Sequence, residues 1–254
     1  MRDAFIRALS ELADQDPSIV LVNGDLGFGV LNDFIANRPT QYLNAGVAEQ
    51  NMTAVACGMA LEGARAYTYS IANFTTLRCL EQLRNDVCYH DANVTAVSVG
   101  GGFSYGQLGM SHFATEDLAI LRALPNMTVV APSDPWQAAE LTKQLHKRGG
   151  PTYLRIDKDK AGLPPAPEDV VLGKVRVVRE GGDVAIFATG GILGEALKAA
   201  DMISRLLKPL AASYCTARMY PSFMVARRSS RDGGRRSAAG RGCSGGRARS
   251  APPL

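Results

Sequence analysis

The sequence predicts an α/β protein built on a parallel sheet covered by helices on both faces, and three observations carry that expectation. Short β-rich runs alternate with amphipathic stretches over the first 160 residues, as in βαβ units. The runs "SIVLVNGD" and "NVTAVSVGGG" are nearly continuous in apolar and small residues, the pattern of strands buried on both faces. Glycine-rich or polar turns follow the strand candidates, where ligands of such sheets collect.

Taken in order, Phe5, Ile6, Leu9 and Leu12 stand at helical spacing after Asp3, and Asp16-Pro17 ends that helix. "SIVLVNGD" is the first strand. "GVAEQNMTAVACGMALEGAR" reads as a helix with Glu49 in its first turn, and "ARAYTYSI" as a strand. A single helix over "FTTLRCLEQLRNDVCYH", the strand "NVTAVSVGGG", the helix "TEDLAILRAL" and the strand "MTVVAP" follow. "SDPWQAAELTKQLHKRG" has Ser133 or Asp134 as cap and Pro135 at the start, and "PTYLRI" is the last strand of the series.

A Pro- and charge-rich linker over 161–172 leads to 173–206, with two strand candidates and a helix that open an incomplete α/β C-terminal domain. Residues 207–254 lack apolar periodicity. They read as a basic tail, disordered or translated in a shifted frame. Ten basic residues there face only Asp232, so the net charge of +4 conceals a mildly acidic body. A nucleic-acid partner is therefore not expected. No apolar run suits a membrane span or secretion signal, which points to the cytoplasm.

The five cysteines form neither a disulfide framework nor a zinc pattern, and no metal site is expected from Cys79, Cys88 and His90. "NGDLGFG" lacks the order of a dinucleotide loop, and "TGGILGEAL" lacks the lysine of a phosphate loop. Three residues remain as candidates for chemistry. A first-turn acid such as Glu49 commonly only complements the helix dipole, but here it follows Gly46 at a strand-end turn. His112 lies after a glycine-rich loop, and Phe74 opens a helix after a strand.

Together "GVAEQNM", "NFTTLRCLEQLRND", "GGGFSYGQLGMSHFATEDLAILRALPNMTVVAPSD" and "PTYLRI" resemble successive segments of the transketolase family. They are most similar to the pyrimidine-binding domain carried by the C-terminal subunit of split transketolases. The resemblance covers residues 1–160 as that domain and continues to about Leu206. It implies a three-layer fold, thiamine diphosphate as cofactor, and transfer of a two-carbon ketol unit from a ketose phosphate to an aldose. Glu49 would share a proton with the aminopyrimidine, Phe74 would stack on it, and His112 would act in catalysis and contact donor oxygens. Arg155 would meet substrate phosphate. The resemblance also implies an N-terminal partner subunit carrying the diphosphate site and Mg2+, in a hetero-oligomer or dimer. The chain departs from the family at "GQLG", where Leu108 replaces an aspartate. Gly24-Asp25 ahead of Asn51 resembles the magnesium–diphosphate motif of thiamine enzymes, but Leu26 stands for its second glycine and Asn51 falls inside a helix, so no metal is expected there. Deoxyxylulose-phosphate synthase, the β subunit of a 2-oxoacid dehydrogenase and a truncated non-catalytic product are the alternatives.

Overall fold

The computed structural model describes residues 1–181, 184–207 and 215–218. Helix α1 (Arg2–Ala13) turns Phe5, Ile6, Ala8, Leu9 and Ala13 inward, and the chain then enters β1 (Ile19–Asn23). A short α2 (Asn32–Asn37) and a three-residue β2 (Tyr42–Asn44) come next. They lead to α3 (Glu49–Leu61), β3 (Arg65–Ile71) and α4 (Ala72–Thr76). After α5 (Leu80–Gln82) come β4 (Val94–Val99), α6 (Asp117–Ala123), β5 (Thr128–Val130), α7 (Pro135–Arg148) and β6 (Thr152–Ile156).

The six strands form one sheet in the order β2-β1-β3-β4-β6-β5, and every pairing is parallel. The two-residue period of the strands sorts their side chains into two cores. Ile19, Leu21, Tyr67, Tyr69, Val97, Val99, Leu154 and Ile156 meet α1 and α7 on one face. Val22, Ala66, Val94, Ala96 and Tyr153 meet Met52, Ala56 and Cys57 of α3, together with Leu83, Val87 and Leu121, on the other. The sequence expectation of a doubly covered parallel sheet is met. Because all strands run the same way, the turns after β1, β2, β3, β4 and β6 emerge along one edge.

One expected element is broken. The single helix read over Phe74–His90 is instead α4, a 3₁₀ turn Leu77–Cys79, α5 and a π-helical segment Leu83–Cys88. Thr75 and Thr76 donate their hydroxyls back to the carbonyls of Ile71 and Ala72, a competition that bends helices.

The linker is strapped down. Trp136 Nε1 donates to Leu163 O, Gln144 Nε2 donates to Val170 O, and Leu172 N donates to Gln144 Oε1. Beyond it, β7 (Val177–Arg179), β8 (Val184–Ile186), α8 (Leu193–Leu207) and β9 (Cys215–Arg218) build a second small unit. Its sheet order is β7-β9-β8, with β9 parallel to β8 and antiparallel to β7. Strand β9 falls within the stretch expected as a tail, and it completes a strand–helix unit with a parallel strand. The rest of the expected tail, 208–214 and 219–254, lies outside the described residues.

Arg155, at the end of β6, ties these parts together. Its Nη1 donates to Asp117 Oδ1 at 3.2 Å, and its Nε lies 3.4 Å from Asp157 Oδ1. Asp157 accepts from Gly101 N at 3.0 Å and from Gly191 N at 2.8 Å. Tyr153, fully buried, donates to Asp117 Oδ2 at 2.6 Å and accepts from Ser98 Oγ at 2.7 Å. Burial, with the Asp117 charge, pushes the Tyr153 hydroxyl well above the usual phenol range, so it stays a donor. Tyr153→Phe strips a buried carboxylate and a buried hydroxyl of one partner each. It should cost about 1–3 kcal/mol, measured by urea unfolding; an unchanged midpoint would show that water replaces the phenol.

Candidate functional site

Gly46 sets the position of the first functional side chain. Its φ of +71° is a conformation glycine adopts without the penalty of a Cβ. Gly46 N donates to Asn44 Oδ1, and Asn44 Nδ2 donates to Asp25 Oδ1, at 2.9 Å each. This turn delivers Glu49 as the first residue of α3, where the helix dipole favours a carboxylate. Glu49 is only 4% exposed. In sequence its near neighbours are the uncharged Ala45, Gly46, Val47 and Ala48, but the structure adds a cation: Arg78 Nη1 lies 3.3 Å from both Glu49 Oε1 and Oε2.

Arg78 belongs to the 3₁₀ turn after α4, so the broken helix brings it back over Phe74. Its Cζ stands 3.8 Å from the ring centroid of Phe74. That ring is largely buried, and its centroid lies 5.0 Å from that of His112. His112 is 5.5 Å from the Tyr105 ring, and Lys158 Nζ is 3.6 Å from the Tyr105 centroid. Glu49, Phe74 and His112, three of the four residues singled out from sequence, thus form one continuous patch.

The loop that carries His112 is closed at its base. Gly102 and Ala114 exchange two backbone hydrogen bonds as an antiparallel bridge. Asn73 Nδ2, from α4, donates to Ser111 O at 2.6 Å, while Ser111 Oγ and His112 Nδ1 are 2.9 Å apart. Asn73 Oδ1 is buried without a hydrogen-bond partner. At Gly100, φ is +83° and an added Cβ would strike the Tyr105 ring. That loop therefore depends on glycine there.

Arg155 is engaged elsewhere. It is 9% exposed and lies between Asp117 and Asp157, a setting that neutralises its charge and surrounds it with groups that repel phosphate. Lys158, two residues beyond the end of β6, is the exposed cation next to the patch. Sequence reasoning missed Arg78 and Lys158; the four-residue spacing from Phe74 to Arg78 was the available signal. Among the described residues no group of three His, Cys, Asp or Glu side chains is arranged to hold a metal, and no helix is long and apolar enough to cross a membrane.

The family described as the transketolase, pyrimidine binding domain matches residues 1–163. The chain belongs to that family. One subunit of an apulose-4-phosphate transketolase from Phocaeicola vulgatus is 36% identical over 207 residues, covering 80% of this chain and 66% of that protein. A 1-deoxy-D-xylulose-5-phosphate synthase from Acidobacterium capsulatum is 28% identical over 80% of this chain and 33% of its own. Among solved structures, a split gene transketolase in an inactive beta4 tetramer superposes with a TM-score of 0.75 at 32% identity. That match covers 87% of this chain and 71% of the other. The chain thus spans 66% of the length of its Phocaeicola relative. The transketolase pyrimidine domain accounts for the parallel sheet and for the edge on which Glu49 and Phe74 stand.

Close to that edge, Cys79 hydrogen-bonds to the carbonyls of Phe74 and Thr75. Burial pushes the thiols of Cys79 and Cys88 up to about 11. Near pH 8, only about one in a thousand is a thiolate. Iodoacetamide should leave both unlabelled in the native chain and modify both after unfolding, read by mass spectrometry. Native labelling at the unfolded rate would mean that this layer opens readily.

Proposed function

We propose that the chain is the pyrimidine-binding half of a split, thiamine diphosphate-dependent transketolase. On this reading it moves a two-carbon ketol unit from a ketose phosphate to an aldose in the cytoplasm, as part of carbohydrate metabolism. It acts with a partner subunit that carries the diphosphate site and Mg2+. The observation that carries the reading is the pairing of a buried carboxylate, Glu49, with a flat aromatic face, Phe74, bridged by a planar cation.

The donor set fits the pyrimidine half of the cofactor. An aminopyrimidine is flat and bears hydrogen-bonding nitrogens, as the guanidinium now bridging Glu49 and Phe74 is flat and bears donors. When bound, thiamine diphosphate supplies the carbon that carries the two-carbon unit between sugars. The chain's own residues do the rest. Glu49 holds and releases a proton at its Oε atoms, shielded from water. Phe74 offers a stacking face. His112, with Nδ1 engaged by Ser111, keeps Nε2 for donor oxygens, and Lys158 replaces Arg155 as the charge for a substrate phosphate.

The need for a partner is supported by the rim of this edge. Phe28, Val47, Phe103, Leu108 and Met110 lie in the turns after β1, β2 and β4 and are between 52% and 81% exposed. Apolar side chains gathered on one edge mark a surface to be covered.

Glu49→Gln keeps size and hydrogen-bonding capacity but removes the exchangeable carboxyl proton. With the partner present, activity and C2-proton exchange of bound thiamine diphosphate should fall by about two to four orders of magnitude, while the melting temperature barely moves. Equal exchange rates in wild type and variant would leave Glu49 with only its dipole role. Lys158→Met should raise KM for a phosphorylated ketose about tenfold with little change in kcat; an unchanged KM would remove Lys158 from the site. Turnover with pyruvate in place of a ketose donor would transfer the reading to the synthase-like alternative.

A further inference from the structure

One residue of the site is given no step in the reaction, and its contacts are peculiar. Arg78 touches both groups assigned to the pyrimidine ring: Nη1 bridges the two oxygens of Glu49 at 3.3 Å, and the guanidinium stands 3.8 Å over Phe74. Carboxylate and aromatic face cannot each serve a second flat ring while this side chain lies between them. The ion pair is also long. Charge-assisted hydrogen bonds close to about 2.7–2.9 Å, and both contacts here use one nitrogen rather than the parallel fork that makes arginine–carboxylate pairs strong. The Arg78 side chain is 44% exposed, against 4% for Glu49. One partner is buried and the other reaches solvent.

The backbone agrees. Arg78 lies outside α4, in the 3₁₀ turn Leu77–Cys79, between Thr76 (φ −114°, ψ −79°) and Cys79 (φ −123°, ψ 27°). Its half-exposed side chain can swing into solvent by rotation about its own χ angles. Phe74, by contrast, is held in α4, whose threonines bond back onto the carbonyls of Ile71 and Ala72.

We propose that Arg78 is a placeholder: it closes the Glu49–Phe74 pocket in the cofactor-free chain and is displaced by the aminopyrimidine ring. This rests on the reading of that pocket as the pyrimidine site. The placeholder spares Glu49 an unpaired buried charge and keeps the Phe74 face covered until the ring arrives. Its cost appears in affinity. A ligand that binds only the open arrangement has its affinity reduced by the fraction open, so a pocket closed nine-tenths of the time loses about tenfold.

The test is calorimetric binding of the free aminopyrimidine half of thiamine to the full chain without partner, near pH 8, where the probe is neutral and general charge repulsion is not a factor. Arg78→Met should bind about tenfold tighter than wild type. Arg78→Lys, which keeps a cation near Glu49 but loses the flat plate, should show a smaller gain; it also serves if the methionine variant fails to fold. Equal or weaker binding by the variants, with wild type binding measurably, would overturn the placeholder and leave the pocket assignment intact. A gain that survives Phe74→Ala in the Arg78→Met background, or no binding by any form, would overturn the pocket assignment and the placeholder with it.

Discussion

The contact on which the rest of the structure leans is the buried charge cluster of Arg155 with Asp117 and Asp157. One side of it fixes the start of α6 and, through Tyr153, reaches Ser98 on β4. The other side fixes Gly101, at the root of the His112 loop, and Gly191, before α8 of the second unit. A buried ion pair contributes little net stability, but losing one partner of it leaves an uncompensated charge. Its importance is therefore geometric: it sets where four segments of chain meet. Glycine is required at 101 because a Cβ would run into Asp157 and Arg155.

From that anchor the candidate site follows by short steps. β4 is buried along its whole length, so the turn after it has a rigid base. The turn after β2 uses Gly46 to redirect the chain into α3, and the break after α4 folds Arg78 back over Phe74. The buried carboxylate and the aromatic ring thus arrive after different strands and meet through the Arg78 guanidinium. Loops on a rigid scaffold are where functional groups are generally found.

Much of this was legible in the sequence. The parallel sheet announced itself through near-continuous apolar runs, and Glu49, Phe74 and His112 through their places after strand candidates. What escaped notice depends on contacts that periodicity does not encode. β2 has three residues and no recognisable run. The break in the helix after Phe74 comes from threonine hydroxyls competing for carbonyls, and "FTTLRCLEQLRND" otherwise has good helical spacing. Arg155 reads as an available cation because Asp117, the acid that engages it, is 38 residues away. The strand at Cys215–Arg218 lies in a stretch whose composition suggests no structure, and only its pairing with β7 and β8 reveals it.

The bridge between Gly102 and Ala114 has a consequence for how such a protein changes over time. Because the two ends of the loop are zipped to each other and Gly101 is tied to Asp157, its exposed tip around Leu108 and Met110 forms a variable cassette. Substitutions or small insertions at that tip reshape the surface near His112 without transmitting strain to β4 or α6. Leu108, exposed at the tip of that cassette, is the sort of alteration this arrangement tolerates. New ligand preferences can thus be tried on an unchanged chassis.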